Sequence, residues 1–126
     1  MPTFAELYTP LLKDVIARKA QEQLEQGVDA LTYANAYAEK GKPEFVLAYL
    51  LQVEAADEVK RSIYAYAYER RAKLSEEKAE TFSRQFHRSF PLIKTGAQKD
   101  RLAANQVRQG RHIGSESQGD KSMHMN

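Results

Sequence analysis

The sequence predicts an all-α protein with four to five short antiparallel helices, arranged as a helical bundle or as repeated helical hairpins, followed by a disordered C-terminal tail. Three observations lead to this prediction. In the run Phe45–Val53, eight of nine residues are apolar or aromatic. Gly27 and Gly41 follow segments with helical spacing of apolar residues, as helix-ending glycines do. After Ile93 the sequence contains Gly, Gln and Ser but no further aromatic residue.

The run Phe45–Val53 is the predicted centre of the fold. A helix that is apolar nearly all round must be covered on most sides by other elements. Pro43 suits the first turn of such a helix, and Glu44 suits the positive end of its dipole. We expect a buried helix from Pro43 to about Ala55, with partner helices around it.

The N-terminal segment carries two signals for a helix start. Thr3 and Glu6 have the spacing of a capping box. Pro10 lies inside the apolar pattern that follows, and proline is tolerated in the first turn of a helix. We therefore predict a short turn over Phe4–Tyr8 and a longer helix that has Thr9 as its N-cap and ends at Gly27.

The next predicted helix, Ala30–Lys40, has Asp29 as its N-cap and Gly41 at its end. Only Lys42 then separates Gly41 from Pro43. Because a short link makes consecutive helices antiparallel neighbours, this helix and the central one are expected to form a hairpin.

Two further helices are predicted after the central one. A break near Asp57 and a continuous helix through it stay equally open. The first of these helices is predicted over Glu58–Lys73. Ser75 is then predicted to cap the last helix, over Glu76–Ser89. Pro91 is expected to stop that helix.

The predicted organisation is a single helical domain over residues 1–93 and a flexible tail over residues 94–126. Residues 1–93 hold 13 Lys or Arg and 14 Asp or Glu, whereas residues 94–126 hold six and three, so the tail is mildly basic. Such a segment cannot bury enough apolar surface to offset its ordering entropy. We expect it to be disordered alone, and residues 99–109 to become helical on a partner.

Composition and spacing give no support for an enzyme. The chain has no cysteine, which excludes disulfides and thiolate chemistry. His87, His112 and His124 do not converge by spacing with other ligands, so we predict no metal and no cofactor. No apolar run approaches the ~20 residues of a membrane span. Without a signal peptide at the N-terminus, we expect a cytoplasmic protein that does not use a membrane.

The candidate interaction surface is an unusual alternation of Tyr with Ala, followed by two arginines. Tyr and Arg are favoured at interface hot spots, whereas the structural alternative is that the rings pack inside with wet hydroxyls. The function predicted first is a protein–protein interaction or adaptor module that binds another protein or a second copy of itself, including as a dimer. Its candidate residues are Tyr64, Tyr66, Tyr68, Arg70 and Arg71.

A nucleic-acid-associated accessory protein is the alternative function. Basic residues continue from the last predicted helix into the tail, and they suit salt-sensitive contacts with phosphates. No nucleic-acid-binding motif accompanies them. The residues are Arg84, Arg88, Lys94, Lys99, Arg101, Arg108 and Arg111.

Residues 30–56 resemble one tetratricopeptide repeat. Asn35-Ala36-Tyr37 and Gly41 match the family's first helix and turn, and Val46 stands at the small position of its second helix. A second copy one period later places Ala79 at that small position, with Leu74 instead of glycine at the turn. The resemblance implies hairpin packing and peptide or protein binding, and it implies no enzyme.

Overall fold

The computed structural model describes residues 2–114, which form six α-helices and one short 3-10 helix, with no β-strand in that range. The all-α fold class is thereby confirmed. The helices are α1 (Phe4–Tyr8), α2 (Asp14–Leu24), α3 (Ala30–Glu39), α4 (Pro43–Leu50), α5 (Asp57–Phe86) and α6 (Pro91–Arg108), and the 3-10 helix is Thr9–Leu11.

The capping box before α1 is present in both directions. The amide of Glu6 donates to Thr3 Oγ1 at 3.1 Å, and the amide of Thr3 donates to Glu6 Oε1 at 2.9 Å. The prediction that Thr9 caps a long helix is wrong, because the chain passes through a 3-10 turn and α2 begins only at Asp14. The buried rings of Phe4 and Tyr8 hold α1 against the core.

Helices α3 and α4 form the predicted antiparallel hairpin. Asp29 caps α3 by accepting hydrogen bonds from the amides of residues 31 and 32, and Gly41 turns the chain with a φ of 67°. Tyr37 stacks on Phe45 and Tyr33 stacks on Tyr49, so that residues pair in reverse order about the turn. Five consecutive residues of α4, 46–50, are buried, which confirms its central place.

Helix α4 is shorter, and α5 longer, than the sequence predicts. Helix α4 ends at Leu50 rather than near Ala55, and a break precedes Asp57. The prediction that Ser75 starts a new helix is wrong, since α5 runs without interruption to Phe86. The same continuity overturns the second tetratricopeptide-like copy, because its turn position, Leu74, lies inside α5.

Residues 94–108 belong to α6, so the prediction of a flexible tail from residue 94 is wrong for that part. One face of α6 is buried, at Ala97, Asp100, Ala104 and Val107, with the three- and four-residue spacing of a helix. Residues 99–108 are helical because they pack against α5 of the same chain, so the expectation that this segment is disordered without a partner is wrong. Residues 115–126 lie outside the described part of the structure.

Helix α5 extends beyond the core. Its 30 residues span about 45 Å, but its members of the core cluster are Tyr64, Ala65 and Ala67. The turn at Gly41 lies against the backbone of Arg71, which marks the level where α3 ends and α4 begins. Past that level α5 continues beside α6, and Ala72 and Ala79 are buried one heptad apart. This pair of helices carries the candidate surface.

Candidate interaction surface

Of the five predicted interaction residues, Tyr64 lies inside the protein and Tyr68 packs half-buried against it. Tyr64 is buried, and its ring makes edge-to-face contacts with Phe4 and Tyr8 at centroid distances of 5.7 and 5.3 Å. Its hydroxyl lies 3.3 Å from the hydroxyl of the half-buried Tyr68. Burial raises the pKa of both phenols. Tyr64 therefore belongs to the core, and Tyr68 packs against that core.

Tyr66 and Arg70 lie on the outer side of α5, beside the end of α3. The Tyr66 hydroxyl donates to Glu39 Oε1 at 2.5 Å, and this hydrogen bond raises the pKa of the phenol. Arg70 Nε donates to the Glu39 carbonyl oxygen at 3.1 Å. Both side chains therefore fasten α5 to α3, although they remain accessible from solvent.

Arg71 connects three helices. Its guanidinium donates to both carboxylate oxygens of Asp100 on α6 and to Glu44 on α4. The Asp100 hydrogen bonds are the largest cause of a raised pKa for Arg71. Its plane also lies over the Tyr68 ring, with the guanidinium carbon 5.4 Å from the centroid. The five predicted residues therefore do not form one surface. Tyr64 and Tyr68 pack in or against the core, Arg71 forms an ion pair between helices, and Tyr66 and Arg70 remain accessible from solvent.

The basic residues of the nucleic-acid alternative also lie in different environments, and two of them form ion pairs with α5. Arg108 Nη2 lies 2.6 Å from Glu69 Oε1, and Arg101 Nε donates to Glu76 Oε2 at 3.0 Å. The two pairs are seven residues apart on each helix, in antiparallel order, and Arg101 lowers the pKa of the Glu76 carboxyl. Just after the C-terminal end of α6, the Arg111 carbonyl oxygen accepts a hydrogen bond from the Tyr8 hydroxyl at 2.7 Å.

The remaining basic residues surround the turn between α5 and α6. We call residues 82–94 the tip. Helix α5 ends where His87 adopts a left-handed φ of 54°, and Pro91 starts α6 four residues later. Between residues 81 and 99 the sequence has no Asp or Glu and four cationic side chains, which are Arg84, Arg88, Lys94 and Lys99. All four are exposed.

Apolar side chains cluster at the tip. The rings of Phe82, Phe86 and Phe90 meet edge to face, with centroids 5.6 to 6.2 Å apart. Phe86 is 54% exposed and Leu92 is 85% exposed. The core cluster of residues 2–114 includes none of these four side chains. The tip thus presents large apolar groups to solvent without a role in that cluster.

Two cavities adjoin Phe90. One has a volume of about 390 Å³ and lies between α5 and the start of α6; the other has about 360 Å³ and follows the turn itself. The guanidinium carbon of Arg88 lies 5.2 Å from the Phe90 centroid. The first cavity is lined by Glu76, Ala79, Glu80, Ser83, Arg84, Ser89, Phe90 and Lys94, and the second by Arg88, Ser89, Phe90, Pro91, Leu92 and Ile93.

One feature of the sequence does indicate an apolar surface at the tip, although the predicted surface rested on the tyrosine alternation instead. Phenylalanines recur every fourth residue from Phe82 to Phe90, in a segment with only positive charge. Their spacing suits a core-facing stripe equally well, so their exposure depends on where the bundle ends. No feature of the sequence predicts the exposure of Leu92, because a single leucine beside a proline is common in buried and exposed positions alike.

Residues 2–114 contain no group of three or more His, Cys, Asp or Glu side chains arranged to hold a metal ion. Within the same range, none of the helices combines the length and apolar character that crossing a bilayer requires. Comparison of the chain with protein-family models, with curated proteins and with solved structures finds no match.

Proposed function

We propose that this chain is a non-catalytic protein–protein interaction or adaptor module and that it binds its partner through the tip. The observation that supports this most is the exposure of Leu92 and Phe86 beside the Phe82–Phe90 ring contacts. Exposed apolar surface of this kind, bordered by charged side chains, is typical of interaction sites. Aromatic and arginine side chains are also the residues that contribute most to binding energy at interfaces.

The position of the tip supports the same proposal. The antiparallel pair α5–α6 continues past the α3–α4 turn, so the tip is carried away from the rest of the bundle. The ion pairs Glu69–Arg108 and Glu76–Arg101 stabilise the register of the two helices. A surface held on two paired helices needs little ordering when it binds, and this lowers the entropic cost of association.

Site-specific photo-crosslinking tests the proposal. A benzoylphenylalanine in place of Leu92 samples the tip, and the same residue in place of Val15 is the control. Val15 is also apolar and is 69% exposed, but it lies on α2. In cells that produce the chain, we expect protein adducts from position 92 that position 15 does not give. An adduct of twice the chain's mass identifies a second copy as the partner.

Two results contradict the proposal. One is the absence of protein adducts at position 92, and the other is the same set of adducts at both positions. Circular dichroism of the two substituted chains is the control for folding, because both positions are exposed and the helix content is expected to stay unchanged.

The nucleic-acid alternative has weaker support. Arg101 and Arg108 are held by Glu76 and Glu69, and carboxylates next to a cation weaken its attraction for phosphate. Fluorescence anisotropy with labelled single- and double-stranded oligonucleotides tests it. Salt-sensitive binding that Arg84→Gln together with Arg88→Gln removes is the result that favours this alternative.

A further inference from the structure

The two cavities beside Phe90 are adjacent, since Ser89 and Phe90 line both. Each has a volume at the small end of the range for ligand pockets, about 300–1,000 Å³, and so suits one or two bulky side chains. Side chains one helical turn apart on a partner lie about 5–6 Å from each other. Two neighbouring cavities of this size therefore suit the apolar face of a helix.

The charge of the tip restricts the partner further. Arg84 and Lys94 line the first cavity, and Arg88 lines the second. Glu76 and Glu80 also line the first cavity. Both precede Arg84 on α5, outside the tip, and Glu76 is bonded to Arg101. The tip itself holds three Lys or Arg residues and no acidic residue, so it attracts an anionic partner and disfavours a cationic one.

A second copy of the chain fits the tip poorly. In a two-fold symmetric contact centred on the tip, each tip meets an identical tip, and Arg84, Arg88 and Lys94 then oppose like charges. A flat bilayer surface is also a poorer fit, because it does not fill the cavity between α5 and the start of α6. An acidic helix from another protein supplies both the apolar side chains and the opposite charge.

We infer that the tip binds an acidic amphipathic helix of a partner protein. Its bulky apolar side chains occupy the two cavities beside Phe90, and its carboxylates face Arg84, Arg88 and Lys94. Leu92 covers the apolar face of the bound helix from the α6 side. This inference rests on the proposed function and adds the chemical class of the partner.

Designed peptides test the inference on the full chain by fluorescence anisotropy. The probe is a labelled helical peptide with Leu at positions i, i+4 and i+7 and Glu on its flanks. A matched peptide has Lys in place of each Glu, and a second has Ser in place of each Leu. We expect the Leu/Glu peptide to bind at least about tenfold more tightly than either matched peptide.

Variants of the chain locate the binding. Arg84→Gln with Arg88→Gln is expected to remove most of the preference for the Leu/Glu peptide over the Leu/Lys peptide. Lys13→Gln with Arg18→Gln removes the same charge from α2 and its N-cap, where both residues are exposed, and is expected to leave the preference intact. Leu92→Ser is expected to weaken the Leu/Glu peptide about tenfold by removing apolar contact area.

Several outcomes overturn the inference. They are no binding of the Leu/Glu peptide, equal binding of the Leu/Glu and Leu/Lys peptides, and equal effects of the tip and α2 charge variants. Leu92-dependent binding to phosphatidylserine vesicles without peptide binding assigns the tip to a membrane surface instead. If these outcomes occur while position 92 still crosslinks to a protein, the partner chemistry is wrong and the proposed function stands. Without that crosslink both are wrong.

Discussion

Arg71 and Asp100 join α5 to α6 through two parallel hydrogen bonds, from Nε to Oδ2 and from Nη2 to Oδ1, each of 2.9 Å. The third guanidinium nitrogen, Nη1, donates to Glu44 on α4 at 2.6 Å. Asp100 is nearly buried, with 12% of its side chain exposed. One arginine thus connects the central helix to the helix pair that carries the tip, at the level where α3 ends and α4 begins.

Substitution of Asp100 by Asn is expected to destabilise the fold. The change removes the carboxylate charge and leaves Arg71 partly buried with a weaker partner, which costs about 2–3 kcal/mol in the free energy of unfolding. The matched control is Glu76→Gln, which breaks the more exposed pair with Arg101 and is expected to cost less than about 1 kcal/mol. Urea denaturation followed by circular dichroism gives both values, and equal losses contradict the special role of Asp100.

Gly41→Ala is expected to disturb the contact between the α3–α4 turn and α5. An added Cβ meets the Cα and N atoms of Arg71 at 2.9 Å, in a position where φ is already 67°. Gly27 also has a positive φ, of 90°, but nothing lies within 4 Å of an added Cβ. Gly27→Ala therefore reports backbone strain alone, about 1–2 kcal/mol.

We expect Gly41→Ala to lower the free energy of unfolding by at least about 1 kcal/mol more than Gly27→Ala does, because backbone atoms of α5 must shift to make room. The difference in urea midpoints measures this excess. A Gly41→Ala variant as stable as the Gly27→Ala variant shows that the turn moves away from Arg71 at little cost.

Removal of α6 is expected to unfold the domain. A chain that ends at Ile93 lacks Ala104 and Val107, which belong to the core, and lacks the Asp100 partner of Arg71. A chain that ends at Gly114 retains all of them and is the control. Thermal unfolding by circular dichroism is expected to be cooperative for the second chain and to lose its cooperative transition for the first. A cooperative transition in the shorter chain makes α6 dispensable for the fold.

Alkaline pH is expected to destabilise the protein above about pH 10. Burial raises the pKa of Tyr8 and of Tyr49 to about 12, above the ordinary tyrosine value of about 10. A group with a raised folded-state pKa contributes stability that is complete below its unfolded pKa. That stability is lost as the pH rises through the folded value. The contribution of these two tyrosines to the free energy of unfolding is therefore level below about pH 10 and falls as the pH approaches 12.

Tyrosinate absorbance measures this titration directly. The native chain is expected to ionise part of its tyrosine at higher pH than the urea-unfolded chain, and Tyr8→Phe is expected to reduce that delayed fraction. Identical titration curves for the native and the unfolded chain contradict the burial of these hydroxyls.

Local signals accounted for the helix ends that the sequence predicted well. The Thr3–Glu6 capping box, the Asp29 cap and the left-handed turn at Gly41 each depend on residues within a few positions of one another. The apolar run from Phe45 likewise predicted a central buried helix, because no arrangement in water leaves such a run uncovered. Its C-terminal limit, by contrast, was predicted five residues too late.

Long-range contacts explain what the sequence could not predict. Ser75 has the composition of a cap, but α5 continues through it, while Ala72 and Ala79 on either side are buried. The α6 segment looked too polar to fold, since its buried face consists of alanines, one valine, a glutamine and Asp100. Alanine side chains bury little area each, so the apolar pattern of α6 is weak. Asp100 can be buried because it bonds to Arg71, which is 29 residues away in the sequence.

The sequence by itself determined that the chain is helical, where α1, α3 and α4 begin, and which helix lies at the centre. These properties follow from backbone capping, glycine turns and apolar periodicity, which are local. Only the tertiary structure decided that Tyr64 is internal while Leu92 is exposed, because exposure depends on how far the neighbouring helices reach. Helices α3 and α4 meet at Arg71, and α5 continues with α6 beyond them, so the exposed apolar surface lies at the end of that pair.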